Sequence, residues 1–128
     1  VPLEKADIIL CGGRGIKNRK YWDMLEEMAE KLAGSAACTR PIVDKEWATE
    51  NIMIGTSGKN VKTKIYIGFG ISGAAHHVCG MKDSDFIISV NIDEDAEIFN
   101  VSDIGIIADL EETIPQLYKF IIEDELLI

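Results

Sequence analysis

Residues 64–80 read KIYIGFGISGAAHHVCG, and the fold turns on how this stretch is parsed. Lys64 to Phe69 is a short apolar run of strand length, rich in Ile and aromatic residues. Gly68, Gly70 and Gly73 follow as GxGxxG, and Ser72 to Val78 reads as a short helix of small residues. A strand that passes through a glycine turn into a helix is half of a parallel βα unit. The glycines allow a backbone to approach a pyrophosphate, and a helix N-terminus favours negative charge. The same pattern also suits a tight strand–helix turn with no ligand. Asp93 lies about 20 residues beyond Gly73, where a dinucleotide fold places its ribose-binding acid. NAD is therefore an open reading, although a helix ending near Gly80 is short for a usual crossover.

Moving outward, Asp7–Cys11, Asp85–Asn91 and Ile104–Ala108 read as further buried strands, and Ser35–Cys38 as a weaker one. Asn18 to Ala33 carries Trp22, Leu25, Met28, Ala29 and Leu32 at helical spacing, with Gly34 as its stop. Glu112 to Ile122 reads as a last helix with Pro115 in its first turn. Pro41 to Val61 is the least regular stretch. Alternating elements predict an α/β fold: a three-layer, Rossmann-like parallel sheet with helices on both faces. The whole of 1–128 is expected to be a single domain. Ligands of such sheets bind beyond the carboxyl ends of the strands. Gly12 to Gly15, Gly68 to Gly73, Asn91 with Asp93, and Asp109 fall there.

Composition narrows the function. Of 128 residues, 47% are hydrophobic and 27% charged, as in ordinary globular domains. A net charge of −9 argues against nucleic acid as a partner, because phosphate contacts need clustered Lys and Arg. No apolar run reaches the ~18 residues that span a bilayer, so membrane insertion is not expected. Three cysteines without CxxC spacing argue against a disulfide framework or a zinc site. Each is expected to be a small buried hydrophobe in a reducing compartment, cytosolic or organelle-matrix. A chain that starts at Val1 with no signal-peptide pattern reads as cut from something longer.

Other motifs carry less. Gly55-Thr56-Ser57-Gly58-Lys59 is not a P-loop, which needs four residues between its glycines. Thr56 and Ser57 can still offer hydroxyls. Arg14, in the first glycine turn, can hold phosphate in bidentate fashion or stay solvated. Neighbouring His76 and His77 point in different directions on a helix, so they do not suit one metal ion. No nucleophile–base arrangement suggests a hydrolase.

Taken together, CGGRGIK (11–17), CTRPIVDKEW (38–47), IGTSGK (54–59), IYIGFGISGAAHHVCGMKDS (65–84), VNIDEDAEIF (90–99) and DIGIIADL (103–110) resemble the FAD-binding domain of electron transfer flavoprotein alpha subunits. The resemblance implies a DHS-like FAD/NAD-binding domain holding one FAD in extended form. The protein would be an electron carrier rather than an enzyme with its own substrate. It implies that Arg14 and the backbone of Ser72, Gly73, Ala74 and Ala75 hold the pyrophosphate. Asn91, Asp109 and Leu110 would lie at the adenosine end. Thr39, Ile54, Gly55, Thr56 and Ser57 would line the flavin, with Ser57 near N5, Arg40 against the ring and His77 donating to the C2 carbonyl. Three positions depart from the family's habit. Thr56-Ser57 stands where Gln-Thr is usual, Thr39 where Ser is often found, and His76 where Gln is common. His76 is kept as a cofactor-binding position without the flavin role given to His77. The resemblance further implies flavoprotein dehydrogenases as electron donors and a beta subunit that completes a heterodimer. It also implies an N-terminal domain of the alpha subunit outside these residues, and a bacterial cytoplasm or a mitochondrial matrix as the location.

Overall fold

A computed structural model describes residues 1–55 and 58–123. Five strands form one all-parallel sheet: β1 (Ile8–Gly12), β2 (Ser35–Cys38), β3 (Ile65–Phe69), β4 (Phe86–Asn91) and β5 (Ile104–Ile107), in the order β2-β1-β3-β4-β5. The strand order reverses between β1 and β3. Their carboxyl ends therefore part into a crevice, with Gly12 beside Phe69 at its floor.

Side chains alternate across the sheet as the pleat requires. Leu10, Phe69 and Val90 face one side, packed with Trp22, Leu25 and Met28 of α1 (Arg19–Lys31) and Ile114 of α4 (Leu110–Tyr118). Ile9, Cys11, Tyr66 and Ile87 face the other, against Met81, Ile98 and Leu3. This second layer is thin. It consists of α3 (Ala75–Cys79) and 3₁₀ turns at Leu3–Lys5 and Glu97–Val101. The sheet is thus flanked by helices, as predicted.

Several boundaries differ from expectation, each for a local reason. Asn18 caps α1 by accepting from the Lys20 N–H. At the other end Ala33, not Gly34, takes the left-handed conformation (φ 56°), while the Gly34 N–H reaches back to the Ala29 carbonyl at 2.8 Å. Gly34 is needed for space instead, since a Cβ there would sit 2.4 Å from the Ile8 carbonyl oxygen. The small-residue helix starts at Ala75 rather than Ser72, because Gly73 is left-handed (φ 93°) and breaks the run. The last helix starts earlier, at Leu110. Asp109 caps it by accepting from the Glu111 N–H at 2.8 Å. Pro115 therefore falls inside α4 rather than in its first turn, and the helix ends in a π-helical turn over Lys119–Glu123. Cys11 and Cys38 are buried, but Cys79 is exposed, contrary to expectation. Within the irregular stretch, α2 (Arg40–Asp44) is followed by Met53 and Ile54. These two extend the sheet edge through bridges Cys38 to Met53 and Ile54 to Lys59. Among the described residues, no helix is long and apolar enough to cross a membrane.

Candidate cofactor site

The two glycine turns at the crevice lock onto each other. The Gly13 N–H donates to the Phe69 carbonyl and the Gly15 N–H to the Gly70 carbonyl, each at 3.0 Å. Gly70 holds φ 70°, and a Cβ on it would lie 2.7 Å from Gly15 Cα. Gly73 packs as tightly on the turn at Glu97–Val101, where a Cβ would lie 2.2 Å from the Ile98 nitrogen. Both glycines are thus required for chain packing. This packing carries Ser72 and Ala74 to the rim.

Among the described residues, three cavities line the carboxyl edge of the sheet. The largest of them, about 620 Å³, is lined by Arg14, Lys17, Gly70, Ser72, Ala74 and Asn91, and also by Asp93, Asp95 and Glu97. A second, about 260 Å³, shares Gly15, Lys17, Gly70 and Asn91 with the first and adds Ile92, Asp109, Leu110 and Glu111. A third, about 130 Å³, brings together Thr39, Arg40, Met53, Ile54, Gly55, His76 and His77. Within each cavity, residues far apart in sequence meet; the first two cavities share residues, and the third shares none with either. Gly73 is buried behind the first cavity and Ala75 is exposed at the start of α3. Thr56 and Ser57 lie outside the described residues.

The donor set of the first cavity suits a diphosphate. Among the described residues, no backbone carbonyl or side chain accepts from the N–H groups of Ser72, Gly73 or Ala74. The first N–H groups of α3 are also free of helical partners by geometry. Arg14 and Lys17 are exposed and make no ion pair among the described residues. A tight turn with unpaired N–H groups, faced by two unpaired cations, fits a phosphate-bearing group.

Asn91 spans two loops: its Nδ2 donates to the Ile71 carbonyl and its Oδ1 accepts from the Asp93 N–H, both at 2.9 Å. Asp93, the candidate ribose acid, accepts from the Asp95 N–H and so closes a turn at the rim. Arg40 lines the third cavity while its Nε donates to Asp44 at 3.2 Å and its guanidinium stands 3.9 Å from Glu50.

His77 is placed differently from expectation. Its ring is buried, with Nε2 2.8 Å from the Tyr66 hydroxyl and Nδ1 3.1 Å from the Ile54 carbonyl oxygen. Both ring nitrogens are occupied within the protein, leaving no N–H for a flavin carbonyl in this arrangement. Burial pushes its pKa down from 6.5 to about 4, so the ring is neutral at pH 7. The exposed imidazole at this cavity belongs to His76. Two residues at these positions were not singled out from the sequence: Lys17, which lines the first two cavities, and Tyr66, which holds His77. A Tyr on a buried strand must find a partner for its hydroxyl, which was a usable signal. Lys17 stands three residues past Arg14, in the same turn that opens onto the crevice.

The fold and this donor set define a dinucleotide-binding domain of the α/β class. The chain belongs to the family described as electron transfer flavoprotein FAD-binding domain, which matches residues 2–82. It is 40% identical over 115 residues to the electron transfer flavoprotein subunit alpha of Clostridium acetobutylicum, covering 90% of this chain and 34% of that protein. Over 117 residues it is 43% identical to the mitochondrial electron transfer flavoprotein subunit alpha of Oryza sativa subsp. indica, covering 91% and 33%. Over 121 residues it is 42% identical to the lactate dehydrogenase (NAD(+),ferredoxin) subunit LctC of Acetobacterium woodii, covering 94% and 29%. The chain thus spans about a third of the length of these relatives. The cofactor of the family is FAD.

Proposed function

We propose that this chain is the FAD-holding part of an electron transfer flavoprotein alpha subunit. It would accept electrons from flavoprotein dehydrogenases and pass them to an acceptor such as a quinone oxidoreductase. The observation that carries the reading is the set of cavities that gathers these residues: two that share Gly15, Lys17, Gly70 and Asn91, and a third lined by Thr39, Arg40, Ile54, Gly55, His76 and His77. Asn91, Asp109 and Leu110 would hold the adenosine end. Arg14 and the Ser72 to Ala75 backbone would hold the diphosphate. Thr39, Arg40, Ile54, Gly55 and His76, with Thr56 and Ser57, would surround the flavin.

When bound, FAD supplies reversible uptake of electrons; the chain binds, orients and tunes it. Arg40 brings fixed positive charge to the third cavity, and the free N–H groups at the start of α3 add partial positive charge. Both favour negative charge nearby. His77 holds the Ile54–Gly55 segment against β3 rather than presenting a donor. His76 takes over the exposed position in the same cavity.

In this reading residues 1–128 are one FAD-binding domain. The complete alpha subunit carries an N-terminal domain besides, and a beta subunit closes a heterodimer over the flavin. The length of the relatives, about three times the matched span, supports the further domain. The protein is a carrier without a substrate of its own, located in a bacterial cytoplasm or, as the second choice, a mitochondrial matrix. Bacterial and mitochondrial relatives support both locations.

The test is reconstitution of the chain, alone and with a beta subunit, with FAD and with NAD. Flavin uptake with its visible absorbance is expected, and reduction of the bound flavin by a flavoprotein dehydrogenase in the heterodimer. Tight NAD binding with no flavin uptake would overturn the reading.

A further inference from the structure

The first and second cavities share four residues, Gly15, Lys17, Gly70 and Asn91. A dinucleotide that runs from one cavity to the other must cross this group. Of the four, only Lys17 carries a charge. Both linings also carry carboxylates: Asp93, Asp95 and Glu97 in the first, Asp109 and Glu111 in the second. In a chain of net charge −9, these carboxylates repel a diphosphate. Arg14 and Lys17 are the two cations that line the cavities, and neither is held in an ion pair among the described residues. A lysine that lines the same cavities as these carboxylates, yet is paired with none among the described residues, is available to meet an anion.

The turn that carries Lys17 is also anchored. Ile16 is fully buried, its N–H donates to the Gly13 carbonyl at 3.0 Å, and its carbonyl accepts from Lys45 Nζ at 3.2 Å. Asn18 begins α1 immediately afterwards. Lys17 therefore leaves a fixed backbone between a buried residue and a helix cap, and only its side chain has freedom.

We propose that Lys17 is a second cationic contact of the FAD diphosphate, so that Arg14 and Lys17 each take one phosphate at the crossing between the cavities. This rests on the FAD reading above and adds a residue to it. Lys17 offsets the carboxylates on the adenosine side, where Arg14 does not reach the second cavity's lining.

The experiment is titration of the 128-residue chain, and of its complex with a beta subunit, with FAD, ADP and riboflavin at low and high salt. Wild type is compared with Lys17→Met and Lys17→Arg. Lys17→Met keeps the aliphatic stem of an exposed side chain and removes the charge, so folding should survive; circular dichroism and the thermal midpoint check this. The expected result is a roughly tenfold weaker binding of FAD and ADP at low salt, in keeping with loss of one charged hydrogen bond. The salt dependence should flatten, riboflavin binding should not change, and Lys17→Arg should restore most of the affinity. If wild type binds FAD and Lys17→Met matches it in both affinity and salt dependence, the Lys17 proposal falls and the FAD reading stands. If Lys17→Met weakens riboflavin as much as FAD, Lys17 acts through the fold and the proposal also falls. If wild type and its complex take up no FAD at all, the FAD reading itself falls, and this proposal with it.

Discussion

The His77 ring stands between the Tyr66 hydroxyl, 2.8 Å from Nε2, and the Ile54 carbonyl oxygen, 3.1 Å from Nδ1, and the second of these contacts sets its tautomer. The Ile54 carbonyl 3.1 Å from Nδ1 can only accept, so Nδ1 must carry the proton. A neutral ring then has Nε2 as its acceptor, and the tyrosine must be the donor. The chain of contacts ties β3 to the Ile54–Gly55 segment through α3. Tyr66→Phe removes the donor and leaves a buried nitrogen unpaired, at a cost of about 1–3 kcal/mol. Nitrogen NMR of the His77 ring should show the Nδ1–H tautomer in both proteins and a changed Nε2 shift in the variant, where that nitrogen has lost its donor. An identical ring spectrum would contradict the assignment.

The same burial makes stability pH-dependent. The His77 pKa is lowered from 6.5 to about 4 in the folded protein, with desolvation as the main cause. Between those values the unfolded chain binds the proton and the folded one does not. The contribution is therefore complete above pH 6.5 and is lost as the pH falls toward 4. Denaturant midpoints measured between pH 7 and pH 4 should fall accordingly, by a few kcal/mol in free energy at about 1.4 kcal/mol per pKa unit. His77→Gln should flatten that profile. An unchanged slope in the variant would mean that His77 is not the group responsible.

Arg40 stands at the third cavity, yet its guanidinium is already engaged by Asp44 and Glu50 on the exposed face. Exposed pairs of this kind contribute about 0–1 kcal/mol, so Arg40→Ala should leave stability nearly unchanged. Its effect should appear in the flavin. Removing a fixed positive charge should lower the potential of bound FAD, by ~59 mV for each 1.4 kcal/mol of lost preference in a one-electron step. Spectroelectrochemistry of the reconstituted heterodimer measures this. A potential equal to wild type would show that Arg40 does not act on the ring.

Much of the fold was legible because its strands are short apolar runs bounded by turn residues. Ser35–Cys38, the weakest of them, is a strand by its parallel pairing with β1, Ala36 beside Leu10 and Ala37 beside Cys11. What the residue pattern could not show was how one loop constrains another. Gly73 breaks the helix start by packing on Ile98, a contact made only in three dimensions. The family resemblance implied that His77 donates to the flavin. The occupation of its ring by Tyr66 and Ile54 depends on the inward face of β3 and on an edge bridge at Met53. At the end of α1 the chain does stop before Gly34, but the left-handed residue is Ala33, which the residue pattern did not single out.

That helix end gives a clean test. Ala33 adopts φ 56°, which costs an L-residue roughly 1 kcal/mol. Ala33→Gly should therefore stabilise the protein, by up to ~1 kcal/mol less the added entropy of the unfolded chain. Gly34→Ala should do the opposite, because its Cβ would meet the Ile8 carbonyl oxygen. Urea denaturation of the two variants should move the midpoint in opposite directions. A loss of stability in Ala33→Gly would refute the strained cap.

Gly70 is where fold and site are hardest to separate. Its φ of 70° is unfavourable for any Cβ, and that Cβ would lie 2.7 Å from Gly15 Cα and 2.8 Å from Leu110 Cδ1. One substitution therefore pushes on both glycine turns and on the first residue of α4. Backbone cannot give way as a flexible side chain would, so Gly70→Ala should destabilise by about 2–4 kcal/mol. The residues it displaces also border the two cavities assigned to the diphosphate and adenosine. Under conditions where the variant remains folded by circular dichroism, FAD and ADP affinity should fall by more than tenfold, while Lys17→Met shows a loss of affinity without a loss of stability. A folded Gly70→Ala protein with wild-type stability and wild-type ADP affinity would mean that the two turns are not locked together as described.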